Sequence, residues 1–233
     1  MDARLVNIKL LSRLNKLASG DYDNIECFYK VESVNKAQLE WVRRQIHGIN
    51  ISKEGDEESL QRVDDLQFLL KNKPLDTFNK EDLYVESEQL PEDYGWFKSV
   101  YIYGSTEDCK EQLMTDVHQI EEGNALEWLS DWSKSPSFEF RQCFYTLSGN
   151  RVKVYTNNEF TVSKLELVYY RKPKEFSLED CQNLDGEITK SSDLEFKDDV
   201  CELIIDEAVS ILAADIEHIS AYQTSSKRKE DNN

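Results

Sequence analysis

The chain has 233 residues and carries 46 acidic against 28 basic side chains, which gives a formal net charge of -18 at pH 7. Hydrophobic residues make up 39% of the chain, enough apolar surface to form a core and too much for wholesale disorder. The acidic excess argues against a surface that wraps nucleic acid, because phosphate binding requires concentrated lysine and arginine.

The N-terminal residues predict two helices. Apolar residues recur at helical spacing through residues 4–18, and Gly20 follows where a helix would end. A second amphipathic stretch runs from Ile25 to Gly48. The expected stripe of the first helix consists of Leu5, Ile8, Leu11 and Leu14, with Leu10 and Leu17 beside it. We expect the two helices to form a hairpin.

Residues 1–89 are assigned to this helical hairpin and a linker. The linker begins as an exposed acidic loop at 49–59. The stretch "RVDDLQFLLK" after it reads as a short helix or strand.

From Leu90 the pattern changes, and residues 90–178 are assigned to an antiparallel β domain. Short turn clusters separate β-rich runs, which is typical of a meander. Pro173 cannot donate a ladder hydrogen bond, so the last strand should end before it. The successive segments are the turn "LPEDY", the strand "WFKSVYIYG", the short helix "ALEWLSDW", the strand "FEFRQCFYTL", the turn "SGN", the strand "RVKVY", the turn "TNNE" and the strand "FTVSKLELVYYRK".

The C-terminal part closes the fold. Residues 179–196 read as an irregular loop, 197–223 as a helix that packs on the N-terminal helices, and 224–233 as a flexible tail. The fold class is therefore α+β, in which long amphipathic helices flank an inserted antiparallel β meander and a C-terminal helix completes the domain.

Polar residues interrupt the N-terminal apolar stretch in a way that a secretory signal does not tolerate. No apolar run approaches the roughly 20 residues that a membrane-spanning helix needs. The five cysteines are widely spaced and form no C-x-x-C motif. Without an export signal, we expect five reduced thiols, most of them packed.

No catalytic residue is assigned. The histidines are His47, His118 and His218. Asp116 lies near His118 and Asp215 near His218, but acids are so frequent in this chain that such proximity has little meaning. Phosphate-binding glycine loops and hydrolase motifs do not occur, so we predict neither an enzyme nor a cofactor site.

The stretch "CQNLDGEITKSS" comes nearest to a metal site. Gly186 matches the turn position of a calcium loop, but the first and twelfth positions are Cys181 and Ser192, where carboxylates are needed. We predict an ordinary turn and no metal site.

Two groups of residues are candidates for a subunit interface. Trp41 with Arg43 and Arg44 combines the side chains that anchor many interfaces, and the alternative is ordinary core packing plus solvated charge. The second group lies where the last strand ends and consists of Tyr170, Arg171, Lys172 and Lys174. It is too small to grip DNA and would suit an acidic neighbour, including another copy of the chain, although solvated strand-end charges are the simpler reading.

Several long stretches in the same order resemble a structural-protein family of crAss-like bacteriophages, short-tailed phages of gut Bacteroidetes. They are "MDARLV", "LNKLASGDYDNI", "NKAQLEWVRRQIHGIN", "LPEDYGWFK", "SPSFEF", "FYTLSGNRVKVYTNNEF" and "SKLELVYYRKPKEF". The resemblance covers residues 1–176 and is weaker over the last helix. The overall plan is also similar to neck and tail-ring adaptors of podophages.

The resemblance implies a virion protein that is made in the host cytoplasm and forms a homo-oligomeric ring, commonly a dodecamer. Such rings join the portal to the tail, contact neighbouring ring and tail proteins, and surround the channel through which genomic DNA passes without specific binding. No membrane is involved. Just before the last helix, related chains often have a segment that contains proline and histidine. This chain instead has "DLEFKDDVCELIIDEAV", so the resemblance leaves open which ring it forms.

Two other functions remain open at the level of sequence. A non-enzymatic module could bind a phage or host protein through the helical hairpin. A hydrolase that uses scattered carboxylates is the third alternative.

Overall fold

The computed structural model describes residues 1–17, 25–47, 64–81, 83–181 and 188–215. The chain divides into two compact units, Met1–Phe68 with Pro173–Asn233, and Leu69–Lys172. Several predicted features lie outside the described residues, namely the helix ends at Gly20 and Gly48, the loop 49–59, residues 182–187 with Gly186, His218, the end of the last helix and the tail 224–233.

The described residues include four α-helices and nine strands. The helices are α1 (Ala3–Leu17), α2 (Cys27–His47), α3 (Ala125–Ser130) and α4 (Asp198–Asp215). The strands are β1 (Leu70–Leu75), β2 (Thr77–Glu81), β3 (Tyr84–Ser87), β4 (Tyr94–Ser105), β5 (Gln112–Leu113), β6 (Asp116–Gln119), β7 (Gln142–Ser148), β8 (Arg151–Tyr155) and β9 (Thr161–Arg171). The predicted α+β class is confirmed.

In the first unit, α4 contacts both α1 and α2. It can do so because apolar residues surround much of its circumference; the buried ones are Val200, Cys201, Ile204, Ile205, Ala208, Val209, Leu212 and Ala213. The principal helix contacts are therefore made with the C-terminal helix.

The buried face of α1 differs from the predicted stripe. Leu5 and Ile8 are 42% and 54% exposed, and the buried residues are Ala3, Val6, Leu10 and Leu14. Lys9 and Arg13 flank this face and pair with Glu202 of α4. The observed orientation of α1 about its axis therefore buries its apolar side chains and also pairs its cations with an acid.

The prediction of five reduced thiols is wrong. A disulfide joins Cys27 at the start of α2 to Cys181, 154 residues later. Folding brings the two Cα atoms to 5.7 Å, a distance that sequence spacing does not reveal. Cys143 and Cys201 are free and buried, and Cys109 is free and exposed.

The second unit contains two sheets in the described residues. Their strand orders are β1-β9-β4-β5 and β2-β3-β8-β7-β6. Ile102 of β4 and Leu165 of β9 share one core with Val152 and Val154 of β8, so the two sheets bury a common set of side chains.

The strands of the expected meander are divided between the two sheets. β7 and β8 form the hairpin predicted at "SGN", in which Gly149 and Asn150 both take positive φ, as a tight two-residue turn requires. β9 instead pairs with β1 and β4, while β6 runs parallel to β7. Alternation identifies a strand but does not choose its partner.

Strand structure also begins earlier than predicted. Residues 64–66 are helical, and β1 starts at Leu70, within the segment assigned to the linker. β1 pairs with β9 along its full length, which places residues from 69 onward in the second unit. β9 ends at Arg171, before Pro173, as the missing proline N–H predicts.

Candidate protein-interaction surface

The segment 121–141 joins β6 to β7 and is called the α3 arm. Because β6 and β7 are parallel neighbours, the chain must leave the sheet and return before it can pair again. The arm begins with a 3-10 turn, Glu122–Asn124, continues through α3 and ends in an irregular stretch that leads into β7.

The inner side of the arm is anchored on the sheet. Ala125 is buried in a small cluster with Phe144 of β7 and Tyr155 of β8. The Trp128 ring meets Phe144 edge to face at 5.6 Å, and Phe144 stacks on Tyr155 at 4.8 Å. These aromatic contacts fix the position of α3.

The outer side of the arm exposes three large apolar side chains. Leu126 is 75% exposed, Trp132 is 92% exposed and Phe140 is 76% exposed. A single exposed apolar residue is ordinary, but three within one short segment make this stretch a candidate interaction surface.

Hydrogen bonds tie down the backbone on both sides of Trp132. The Asp131 carboxylate accepts from the N–H of Ser133 at 3.0 Å and from its hydroxyl at 2.8 Å. These bonds lower the pKa of Asp131. Ser137 and Gln142 exchange backbone hydrogen bonds at 2.9 Å, so the stretch is tied down at both ends.

The exposed charges of the arm are mainly acidic. Glu121, Glu127 and Glu139 are exposed, and the last two stand directly beside Leu126 and Phe140 in the sequence. The arm also has two cations: Lys134 lies 3.2 Å from Asp131 and over the Trp128 ring, and Arg141 is exposed next to Phe140 and donates a hydrogen bond to Gln112. The arm therefore presents exposed apolar side chains together with these exposed acids, which we call its acidic rim.

Sequence reasoning assigned "ALEWLSDW" to a helix and did not identify Trp132. Continued helix would place Trp128 and Trp132 on one face, since they are four residues apart. Instead α3 ends at Ser130, and Asp131 has extended backbone (φ -87, ψ 111). That change of direction separates the partly buried Trp128 from the exposed Trp132, and the Ser-Pro-Ser break that follows was the available signal.

A second surface lies where β1 begins and β9 ends. We define the basic corner as Leu70, Lys71, Arg171 and Lys172. Leu70 pairs across the ladder with Tyr170, and the Arg171 N–H donates to the Leu69 carbonyl at 2.9 Å. Leu70 is 42% exposed, and Lys172 is exposed.

Asp93 positions this corner from the adjoining turn. Its carboxylate accepts hydrogen bonds from Lys71 at 2.5 Å and from the Tyr169 hydroxyl at 2.8 Å. The Lys71 ammonium lowers the pKa of Asp93. Burial and this hydrogen bond raise the pKa of Tyr169 to about 12, so the phenol stays a proton donor at neutral pH.

The remaining residues predicted for the strand end have separate environments. Tyr170 is 7% exposed and belongs to the interior. The Arg171 guanidinium donates to the Lys172 carbonyl at 3.1 Å. Lys174 has an exposed side chain, and its backbone N–H donates to Glu195 at 3.0 Å.

The three interface candidates on α2 have different environments. Trp41 is 6% exposed and meets Phe196 edge to face at 5.3 Å. Arg44 lies 2.6 Å from the buried Glu207 of α4. Arg43 is exposed. Trp41 and Arg44 therefore make contacts within the first unit, and Arg43 is the exposed member of the group.

The structure also brings together one pair that the sequence left uninterpreted. Nε2 of His118 lies 2.9 Å from the Asp116 carboxylate, and its ring is 5.7 Å from Trp128. Both side chains are about half exposed. Cys181 is bonded to Cys27, so it is not available as a metal ligand.

A cavity of about 420 Å³ lies in the first unit. Its lining includes the cations Arg4 and Lys30 and the acids Asp2 and Glu179, so opposite charges face the same space. Within the described ranges, no cluster of three potential metal ligands occurs and no helix is long and apolar enough to cross a membrane.

No protein-family model matches the chain, and no curated protein matches it.

Proposed function

We propose that the chain is a structural virion protein that forms a homo-oligomeric ring in the neck or tail of a short-tailed phage. The ring connects the portal to the tail and surrounds the DNA channel. Its function is geometric, and no catalytic step or cofactor is part of the proposal. The resemblance to crAss-like phage structural proteins supplies the position in the particle.

The proposal rests on the exposure of Trp132. This residue is 92% exposed, and the neighbouring backbone is held by hydrogen bonds. A tryptophan buries roughly 150–250 Å² when it is covered, so it contributes strongly to a contact. Because hydrogen bonds already hold the backbone next to Trp132, less conformational entropy is lost on binding. These are the properties of an anchor in a permanent protein assembly.

The charge of the chain suits a ring through which DNA moves. At -18 per copy, a dodecamer would carry a large negative charge, and a lumen of that sign repels the phosphate backbone. DNA would then pass without being retained. A basic lumen would bind it through counterion release.

A module that binds another protein through α1 is the second candidate. Leu5 and Ile8 lie on neighbouring turns of α1 and are 42% and 54% exposed. These side chains offer a small apolar face. Trp41 and Arg44, the stronger anchors expected for such a module, are engaged inside the first unit.

Electron cryomicroscopy of phage particles would test the ring, together with mass spectrometry of subassemblies released from them. We expect identical copies of the chain around the channel axis, in twelvefold symmetry. Particles without the protein would overturn the proposal. A soluble monomer bound to one different protein would favour the module.

A further inference from the structure

We infer that the α3 arm of one copy docks on the basic corner of the next copy, so that the contact repeats head to tail. This inference rests on the proposed ring and names the surfaces that build it. The occupant of the arm is thus a second copy of the same chain.

The two surfaces complement each other in chemistry. The arm exposes Trp132, and the acids Glu127 and Glu139 are exposed on the same arm. The corner offers the half-exposed Leu70 with Lys172 and other cations around it. Apolar surface can meet apolar surface while the acidic rim meets the basic one, which sets both orientation and partner.

The charge of the rest of the chain favours this choice of partner. A surface with an acidic rim is repelled by most of a protein that carries -18. Cations are concentrated on β1 and at the end of β9. Lys71 is opposite Tyr169, close to Arg171 and Lys172, and Lys73 lies further along β1. Lys71 pairs with Asp93 and Lys73 pairs with Glu88, whereas the side chain of Lys172 is exposed.

Their positions in the second unit make the contact heterologous. The arm is anchored on β7 and β8, whereas the corner belongs to β1 and β9 of the other sheet. Each copy therefore has one arm and one corner at different places, and the exposure of both shows that the arm does not cover the corner of its own chain. Head-to-tail contacts of this kind close into rings when the rotation permits.

Photo-crosslinking tests the contact directly. The full-length protein would carry a benzophenone amino acid in place of Trp132, and light and ¹⁵N-labelled copies would be mixed before assembly. We expect mixed-isotope crosslinks from position 132 to residues 69–75 or 171–172 of another copy. Crosslinks to a different surface, or to a different protein, would overturn the inference.

Charge exchange supplies a second test that leaves the interior untouched. The corner variant combines Arg171→Glu with Lys172→Glu, and the arm variant combines Glu127→Lys with Glu139→Lys. We expect each pair of substitutions to raise the concentration needed for assembly by about tenfold or more. In the variant with all four substitutions, we expect most of the lost assembly to return. A combined variant no better than either pair alone would contradict the docking.

Glu107→Lys is the matched control, because Glu107 is exposed on the loop between β4 and β5, outside both surfaces. Thermal unfolding of each variant separates lost assembly from lost folding. If the unmodified protein forms no ring, in particles or in solution, the proposed function fails and the docking fails with it. If rings form but position 132 crosslinks elsewhere, the docking alone is wrong.

Discussion

The guanidinium of Arg44 on α2 lies 2.6 Å from the carboxylate of Glu207 on α4. The Glu207 side chain is only 5% exposed, so the pair lies at the buried contact between these helices. A charge placed there depends on its partner, because water no longer solvates it.

Replacing Arg44 with alanine should therefore destabilise the protein strongly. Glu207 would lose this cation while staying buried, which costs about 3–5 kcal/mol in comparable sites. Urea unfolding measures the change. Arg43→Ala is the matched control, because Arg43 is exposed on the same helix turn, and we expect a change within about 0.5 kcal/mol. Equal effects of the two variants would contradict the role of the pair.

Glu202 should make the stability depend on acid pH. Lys9, with Arg13, lowers its pKa below the ordinary 4.5. A carboxyl with a lowered folded pKa stabilises the protein above its unfolded pKa, and this contribution is lost as the pH falls through the folded value. We expect Glu202→Gln to be less stable near pH 7 and to lose less stability between pH 5 and pH 3.

The size of this effect is limited by solvent. The three side chains are between 22% and 33% exposed, so we expect about 1 kcal/mol near neutral pH. Urea unfolding at a series of pH values measures it. Glu175→Gln, at an exposed position of the same unit, should follow the unmodified protein. A parallel pH profile for Glu202→Gln would refute the assignment.

The Cys27–Cys181 disulfide should contribute to stability. It closes a loop of 154 residues, and crosslinks over long loops restrict the unfolded chain by about 2–4 kcal/mol. Cys27→Ser or reduction should lower the unfolding midpoint, whereas Cys109→Ser should not. Thiol titration in denaturant gives an independent check: three of the five cysteines should react before reduction and all five after it.

Trp132 and Trp128 should separate assembly from folding. Trp132→Ala removes a side chain that is 92% exposed, so we expect unfolding to change by less than about 0.5 kcal/mol while ring formation is lost. Trp128→Ala removes the ring that packs on Phe144 and should destabilise the fold by roughly 1–3 kcal/mol. Normal assembly of Trp132→Ala would exclude this side chain as an anchor.

Much of the local structure follows from short-range chemistry. Helical spacing identified α1, α2 and α4 to within a few residues of their described parts, and Gly149 with Asn150 predicted the β7–β8 turn, because few residues adopt positive φ easily. Pro173 predicted the end of β9. These signals depend on residues that are close together in the sequence, so the sequence alone is enough to identify them.

The candidate surface was harder to predict. Trp41 and Trp132 both have charged residues close by in the sequence. Trp41 is nevertheless 6% exposed, whereas Trp132 is 92% exposed. Trp41 faces Phe196, more than 150 residues away, while the extended backbone at Asp131 turns Trp132 outward. Local composition does not distinguish these cases.

The sequence by itself determined the α+β class, the approximate positions of α1, α2 and α4 and the turn between β7 and β8, because periodicity and backbone preference are local properties. Only the tertiary structure decided that β9 joins β1 and β4, that Cys27 meets Cys181, and that Leu126, Trp132 and Phe140 remain uncovered. Partner choice and burial depend on contacts between distant parts of the chain, and those contacts exist only after folding.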